Sequence, residues 1–148
     1  MKINLVEDSK IKADKICSFL HEKYPESSIE VLCSYQSGLK KLVSDMPDLV
    51  ILDMSLPTYD RGGLQREGRL RPLGGYDIMR KLSLRRVDFK VLVVTQLESF
   101  GEGEDRVSFD EMNNKCNKEF SSRYLGAVFF GQSDEQWKVD IEGILDKL

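Results

Sequence analysis

The sequence predicts an α/β domain in which one parallel sheet lies between two layers of helices. Short apolar runs alternate along the chain with segments whose apolar residues recur at helical spacing. Two runs, residues 49–52 and 91–94, are apolar throughout, which is typical of strands buried on both faces of a parallel sheet. Five strands alternating with five helices indicate successive βαβ units, and 148 residues are the length of one domain.

The first half of the chain contains three predicted strands and two predicted helices. The strands are the apolar run 3–6, the alternating segment 29–33 and the run 49–52. Asp8 and Ser9 can accept hydrogen bonds from the free N–H groups at the start of the first helix, and a proline follows each helix. The apolar stripes of the two helices are Ala13, Ile16, Cys17, Leu20 and Tyr24, then Leu39, Leu42, Val43 and Met46.

The second half contains the two remaining strands and three helices. The fourth and fifth strands are the apolar runs 91–94 and 127–130. Apolar residues three or four positions apart indicate the third, fourth and fifth helices. They are Ile78, Met79 and Leu82, then Phe109, Met112, Cys116 and Phe120, then Trp137, Ile141, Ile144, Leu145 and Leu148.

Composition disfavours several classes of protein. Twenty-two basic residues against 25 acidic ones give a formal charge of −3, which argues against a surface for nucleic acid or anionic membrane. Cys17, Cys33 and Cys116 lack CxxC spacing, which indicates neither a disulfide framework nor a zinc site, and each is predicted to be buried. No apolar run is as long as a membrane helix, and acidic residues follow the first strand too early for a signal peptide. We therefore expect a cytoplasmic protein.

Polar residues follow four of the predicted strands. In open parallel sheets, ligands bind beyond the carboxyl ends of the strands. Three carboxylates and a hydroxyl are therefore expected at one rim of the sheet. The residues at this rim are Glu7 and Asp8 after the first strand, Asp53 after the third, Thr95 after the fourth, and Gly131, Gln132 and Ser133 after the fifth.

Three acidic side chains at one rim favour a cation or a phosphoryl group. Crowded carboxylates raise one another's pKa unless a cation lies among them. Mg²⁺ prefers oxygen ligands and typically takes one or two carboxylates together with waters and a phosphate. A carboxylate can also attack phosphorus and form an aspartyl phosphate.

Four segments, taken in order, resemble the receiver domain of bacterial two-component response regulators. They are 6–9 (Val-Glu-Asp-Ser), 49–57 around Asp53, 93–95 (Val-Val-Thr) and 126–130, with Gly-Ala before Phe-Phe. The resemblance covers the whole chain. It implies a flavodoxin-like, doubly wound sheet with strand order 2-1-3-4-5 and five helices, in a single stand-alone receiver-like domain spanning residues 1–148.

The resemblance also implies a role for the acidic residues. Asp53 would accept phosphate from a histidine kinase or phosphotransfer protein in a Mg²⁺-dependent manner. The metal ligands would be Glu7, Asp8, Asp53 and the backbone carbonyl of Ser55.

The same resemblance implies a switch and an output surface. Thr95 would move to the phosphoryl group, and Phe130 would be the aromatic switch on the fifth strand. The output surface would be formed by the fourth helix, the fifth strand and the fifth helix. An unknown output protein, or a second copy of the chain, would bind there.

One residue expected from the family is missing. Family members carry a lysine shortly after the aromatic residue of the fifth strand, but the aligned position is Ser133, with Gln132 beside it. Neither side chain is cationic. A hydrogen bond to a charged group contributes about 1.5–3 kcal/mol, so loss of the ammonium group is expected to weaken the contact with a phosphoryl oxygen.

Two segments are longer than the family pattern: the arginine loop, at about 58–74, and the acidic loop, at about 98–108. The part of the acidic loop at 98–105 holds four acids and no base. One hypothesis is that the arginine loop replaces the missing cation or docks on the acidic loop, and the alternative is two solvated loops. The candidate cations are Arg61, Arg66, Arg69 and Arg71.

Two functions stay open. The rim acids and Thr95 favour a phosphorylatable receiver that is not an enzyme and signals by protein–protein interaction. Ser133 and the two long loops favour a pseudo-receiver, which would bind a protein without phosphorylation. A metal-dependent phosphatase is disfavoured because Ser55, two residues after Asp53, is not acidic, and DNA binding is disfavoured because no basic helix is present.

Overall fold

The computed structural model describes residues 1–61 and 68–148, and in it strands and helices alternate along the chain. The strands are β1 (Lys2–Val6), β2 (Ser28–Leu32), β3 (Leu49–Leu52), β4 (Leu56–Pro57), β5 (Leu70–Arg71), β6 (Val91–Thr95), β7 (Ser99–Phe100), β8 (Val107–Ser108) and β9 (Tyr124–Phe129). The α-helices are α1 (Lys10–Lys23), α2 (Tyr35–Asp45), α3 (Gly74–Leu84), α4 (Phe109–Phe120) and α5 (Gln136–Leu145).

Five of the strands form a parallel sheet in the order β2-β1-β3-β6-β9. Counted within this sheet alone, the order is 2-1-3-4-5, so the predicted fold is confirmed. The order reverses at β1, which lies between β2 and β3. Val6 at the end of β1 is in register with Leu52 at the end of β3, which places Glu7 and Asp53 side by side at the rim.

The core has two layers because successive residues of a buried strand point to opposite faces of the sheet. Val6 and Leu52 belong to the layer that contains residues of α2, α3 and α4. Leu5 and Ile51, one position earlier on the same strands, belong to the layer that contains residues of α1 and α5. Both faces of the sheet are therefore covered by helices, as the uninterrupted apolar runs predict.

The two long loops contain short antiparallel strand pairs that the sequence does not predict. In the arginine loop region, β4 pairs with β5 through Leu56 opposite Arg71. In the acidic loop, β7 pairs with β8 through Phe100 opposite Val107. Two-residue strands are too short to show an alternating pattern, so periodicity could not reveal them.

Several local predictions are wrong. Met46 is not part of the stripe of α2 but caps it in a left-handed conformation and is exposed. Leu148 lies beyond the end of α5 and is exposed. Cys33 is exposed because it follows β2, an edge strand, and Cys17 is only partly covered, whereas Cys116 is buried.

Among the described residues, the helices are too short or too polar to cross a lipid bilayer.

Candidate functional site

The acidic site is built on the backbone at the ends of β1 and β3. The N–H of Asp53 donates to the carbonyl oxygen of Val6 at 3.0 Å, and the N–H of Glu7 donates to that of Leu32 at 2.9 Å. These bonds extend the sheet by one residue on each side of β1. Carboxylate oxygens of Glu7, Asp8 and Asp53 consequently lie within 4.8 Å of one another.

The first turn of α1 places a basic residue, Lys12, next to the acidic site. Ser9 is the N-cap of α1, and its side chain accepts a hydrogen bond from the N–H of Lys12 at 3.4 Å. The carboxylate of Glu7 in turn accepts from the N–H of Ser9 at 3.0 Å. The first turn of α1 is therefore fixed against the end of β1, with Lys12 on its inner side.

Lys12 is the buried cation of the site, with only 1% of its surface exposed. Its Nζ lies 2.5 Å from Oε1 of Glu7 and 3.3 Å from Oδ2 of Asp53, and it donates to the carbonyl oxygen of Val94 at 2.8 Å. The three N–H bonds of the ammonium group therefore have three oxygen partners. The ring of Phe130 lies 5.9 Å from Nζ and covers it from the side.

The charges of the site are unbalanced, because it brings together three carboxylates and a single buried ammonium group, which contacts two of them. Burial, followed by the nearby charge of Asp53, raises the pKa of Glu7 to about 7, although Lys12 acts in the opposite direction. Burial also raises the pKa of Asp53, against the lowering effects of Lys12 and of the hydrogen bond from the N–H of Met54. The site therefore favours a further positive charge.

The donor set fits a hard divalent cation. All three candidate side-chain ligands are carboxylates, which Mg²⁺ prefers. Of the three carboxylates, Lys12 contacts those of Glu7 and Asp53, and Asp8 is reached from outside by Arg61, whose side chain is 67% exposed. The buried part of the site therefore holds more negative than positive charge, which a divalent ion can neutralise. Glu7, Asp8 and Asp53 are the side chains that would hold the ion.

Comparisons with known proteins support the fold. No family model matches the chain. The chain is 28% identical over 143 residues to the Detocs response regulatory protein DtcB of Enterobacter cloacae (strain JD6301), with 95% of each chain covered. A CheY-like response regulator receiver domain from Methanospirillum hungatei JF-1 has a TM-score of 0.63 at 16% identity, covering 99% of this chain and 91% of that one.

This chain has the receiver-domain fold. A further similar structure is the response regulator protein TrrA from Thermotoga maritima, solved in complex with Mg²⁺ and BeF, with a TM-score of 0.59 at 17% identity and 97% of each chain covered. The resemblance drawn from the sequence is therefore confirmed at the level of the fold.

Two further residues predicted for the receiver site lie at its edge. Thr95 ends β6 and is fully buried, and its hydroxyl accepts a hydrogen bond from the N–H of Leu97 at 3.2 Å. Ser55 is partly exposed in the segment between β3 and β4. Their roles, as switch and as carbonyl ligand, stay predictions.

Phe130 and Phe129 point to opposite faces of the receiver sheet. Phe130 is buried among residues of α1 and α5, with its ring 4.8 Å from that of Trp137. Phe129 is 42% exposed, and its ring lies 6.4 Å from that of Phe109 on α4. The predicted switch residue therefore lies away from α4, while its neighbour faces that helix.

Ser133 and Gln132 are exposed in the segment before α5. Ser133 lines a groove together with Asp14, Lys15 and Trp137, on the side of the receiver fold formed by α1 and α5. No described contact links Ser133 to Asp53. The position aligned with the family lysine thus carries no charge and, in the described part of the chain, makes no hydrogen bond to the acids.

The arginines proposed as substitute cations have different surroundings. Nη2 of Arg61 lies 3.5 Å from Oδ2 of Asp8, and the Arg61 side chain is 67% exposed. Nη1 of Arg71 lies 4.0 Å from Asp77, and its guanidinium group covers the ring of Tyr35. Arg69 is exposed. Arg66 lies outside the described residues.

Lys12 is not among the residues predicted for the site, although the sequence contains a signal for it. Lys12, Ile16 and Leu20 are spaced four residues apart, so Lys12 continues the buried stripe of α1. A lysine on the buried face of a helix requires a partner, because an unpaired charge is costly to bury. Here the acidic pair that precedes the helix contains one of the partners.

Proposed function

We propose that the protein is a response-regulator receiver that accepts a phosphoryl group on Asp53 in the presence of Mg²⁺. The observation that carries the proposal is the cluster of Glu7, Asp8 and Asp53 at the ends of β1 and β3 within a receiver fold. Similarity to DtcB and to TrrA with Mg²⁺ and BeF supports it.

The chemistry assigned to Asp53 is attack of a carboxylate oxygen on phosphorus. A P–N bond of a phosphohistidine donor breaks, an O–P bond to Asp53 forms, and the leaving imidazole takes up a proton. Mg²⁺, held by Glu7, Asp8, Asp53 and the carbonyl of Ser55, would supply positive charge next to the transferred group. Asp53 must be ionised for this step, and Lys12 and the N–H of Met54 favour the ionised form.

The proposed partners follow from this reaction. The donor is a histidine kinase or a phosphotransfer protein, and the output is binding of another protein by a single cytoplasmic domain spanning residues 1–148. The protein then acts as a signalling module rather than as an enzyme. We assign the output surface to α4, β9 and α5, where an output protein or a second copy of the chain would bind.

A pseudo-receiver is the second candidate, favoured by one observation. The ammonium group of Lys12 already lies between Glu7 and Asp53, at 2.5 and 3.3 Å. An internal cation in this position supports an acidic pocket that holds its shape without metal or phosphate. Binding of a protein partner would then be independent of phosphorylation.

The two candidates predict different responses to beryllofluoride, a phosphoryl mimic. The single tryptophan, Trp137, packs on Phe130, whose ring lies beside Lys12, so its fluorescence reports on the site. The protein is titrated with beryllofluoride with and without Mg²⁺, beside Asp53→Asn. A receiver gives a Mg²⁺-dependent signal that Asp53→Asn abolishes. If wild type gives no signal by fluorescence and none in backbone amide NMR spectra, the receiver is rejected and the pseudo-receiver is favoured.

A further inference from the structure

We propose that Lys12 supplies, from α1, the cation that contacts the phosphoryl group on Asp53. This inference rests on the proposed function and names the residue that performs the task of the missing lysine. The predicted substitutes were arginines of the arginine loop, whereas Lys12 belongs to the first turn of α1 and is buried.

The ammonium group of Lys12 is held next to Asp53 by two other oxygens. Glu7 and the carbonyl oxygen of Val94 hold Nζ at 2.5 and 2.8 Å, whereas Oδ2 of Asp53 lies farther away, at 3.3 Å. Two short bonds thus anchor the group, and the third N–H is directed to Asp53 by a longer contact. That third N–H is available to an oxygen placed on Asp53.

Phosphorylation would change the charge on Asp53. A phosphoryl group attached to Asp53 adds negative charge and strong acceptor oxygens beside Nζ. Hydrogen bonds between an ammonium group and such oxygens are short and strong. The Lys12 contact therefore transfers from Oδ2 to a phosphoryl oxygen, while the bonds to Glu7 and Val94 remain. No covalent bond to Lys12 forms or breaks.

The surroundings of Lys12 strengthen its electrostatic contacts. Phe130 and α1 shield the ammonium group from water, and shielding strengthens an electrostatic contact. Arg61, in contrast, reaches Asp8 with a side chain that is 67% exposed, and Arg71 lies against Tyr35 and Asp77. Among the described basic side chains, Lys12 is the one that both contacts Asp53 and is buried.

The test separates phosphoryl contact from a structural ion pair. Lys12→Met is compared with Lys10→Met, an 88% exposed side chain in the same turn of α1. Two affinities are measured for each variant: Mg²⁺ alone, and beryllofluoride at saturating Mg²⁺. We expect Lys12→Met to bind Mg²⁺ at least as tightly as wild type, because a competing cation is gone. Its affinity for beryllofluoride should fall about 10- to 150-fold, the loss expected for one charged hydrogen bond. Lys10→Met should match wild type in both measurements.

Wild-type protein provides a second measurement that does not depend on a variant that folds poorly. In ¹⁵N-lysine-labelled protein, the Nζ signal of Lys12 should shift when beryllofluoride is added to the Mg²⁺-bound form. Lys12→Arg identifies the signal by its loss. No shift, or undiminished beryllofluoride affinity in folded Lys12→Met, overturns the inference and leaves the proposed function standing. Absence of any Asp53-dependent response in wild type overturns both.

Discussion

Gly75 packs so closely on Asp53 that a Cβ atom at residue 75 would lie 2.5 Å from the Asp53 carbonyl oxygen. The N–H of Gly75 also donates to the carbonyl oxygen of Met54 at 2.9 Å. The beginning of α3 therefore rests directly on the backbone that carries the proposed phosphoryl acceptor. This contact helps to fix the position of Asp53 at the rim of the sheet.

Replacing Gly75 tests that contact. Gly75→Ala should lower the free energy of unfolding by about 1–3 kcal/mol, the usual cost of overpacking, because the atom that it meets is backbone and cannot rotate away. It should also weaken Mg²⁺ binding, because Asp53 must move. Gly143→Ala is the matched control, since its Cβ would meet nothing within 4 Å and alanine favours a helix by about 0.5–1 kcal/mol. Urea unfolding of both variants provides the measurement, and equal stabilities would contradict the prediction.

Mg²⁺ should stabilise the folded protein against heat. A ligand that binds only the folded state adds about 2.7 kcal/mol when its concentration is 100 times its dissociation constant. Asp8→Asn should reduce this gain, because it removes one of three clustered carboxylates. Asp14→Asn, an exposed acid on α1, should keep it. The melting temperature is followed against Mg²⁺ concentration, and an equal Mg²⁺ response in both variants would exclude Asp8 as a ligand.

Phe129 and Phe130 should differ in their effects on stability. Phe130→Ala should lower the free energy of unfolding by about 3–5 kcal/mol, because Phe130 is 3% exposed and its ring packs on Trp137. Phe129→Ala should lower it by only about 1 kcal/mol, since Phe129 is 42% exposed. Only the Phe130 variant should alter the fluorescence of Trp137 before unfolding. Similar losses of stability would place both rings in the core.

The thiol of Cys116 should stay protonated to a higher pH in the folded protein than in the unfolded chain. Burial raises the pKa of this thiol from 9.0 to about 12, with a further contribution from Glu119. The thiol of the unfolded chain loses its proton above pH 9, so the stability that Cys116 contributes is complete below pH 9 and is lost as the pH rises toward 12.

The measurement compares wild type with Cys116→Ala between pH 8 and 10.5. Wild type should lose more stability over this interval, and the two unfolding curves should approach each other as the pH rises. In native wild type, a thiol reagent should modify the exposed Cys33 first and Cys116 only on unfolding. Rapid native labelling of Cys116 would refute its burial.

The sheet and the acidic cluster could be predicted from the sequence because both depend on local signals. Residues 49–52 are apolar without interruption, and Asp53 follows them directly. Parallel strands bring their carboxyl ends to one rim, so the position of Asp53 in the chain was enough to locate it. Distances between side chains were not required.

The face occupied by Phe130 could not be predicted in the same way. The pairing of β9 with β6 is irregular, since Val91 is opposite Tyr124 while the next residue, Leu92, is opposite Gly126. One extra residue in a strand moves every later side chain to the other face of the sheet. Such an irregularity has no signature in an apolar run.

Lys12 was missed for a different reason. Its ammonium group is held by oxygens of Glu7, Asp53 and Val94, of which the first two directly follow β1 and β3 and the third lies in β6. The spacing of Lys12 from Ile16 and Leu20 indicates only that Lys12 lies on the buried face of the helix. The oxygens that hold its ammonium group become evident only once the strands are in place.

The attachment of the buried ammonium group to α1 has a mechanical consequence. A ligand that binds Lys12 interacts with a residue of a 14-residue helix rather than with a loop. That helix contacts α5 through Phe19 against Trp137 and through Lys23 with Glu142. A displacement of Lys12 would therefore first affect the face of the sheet covered by α1 and α5. A change on the α4 face would require the strands themselves to move.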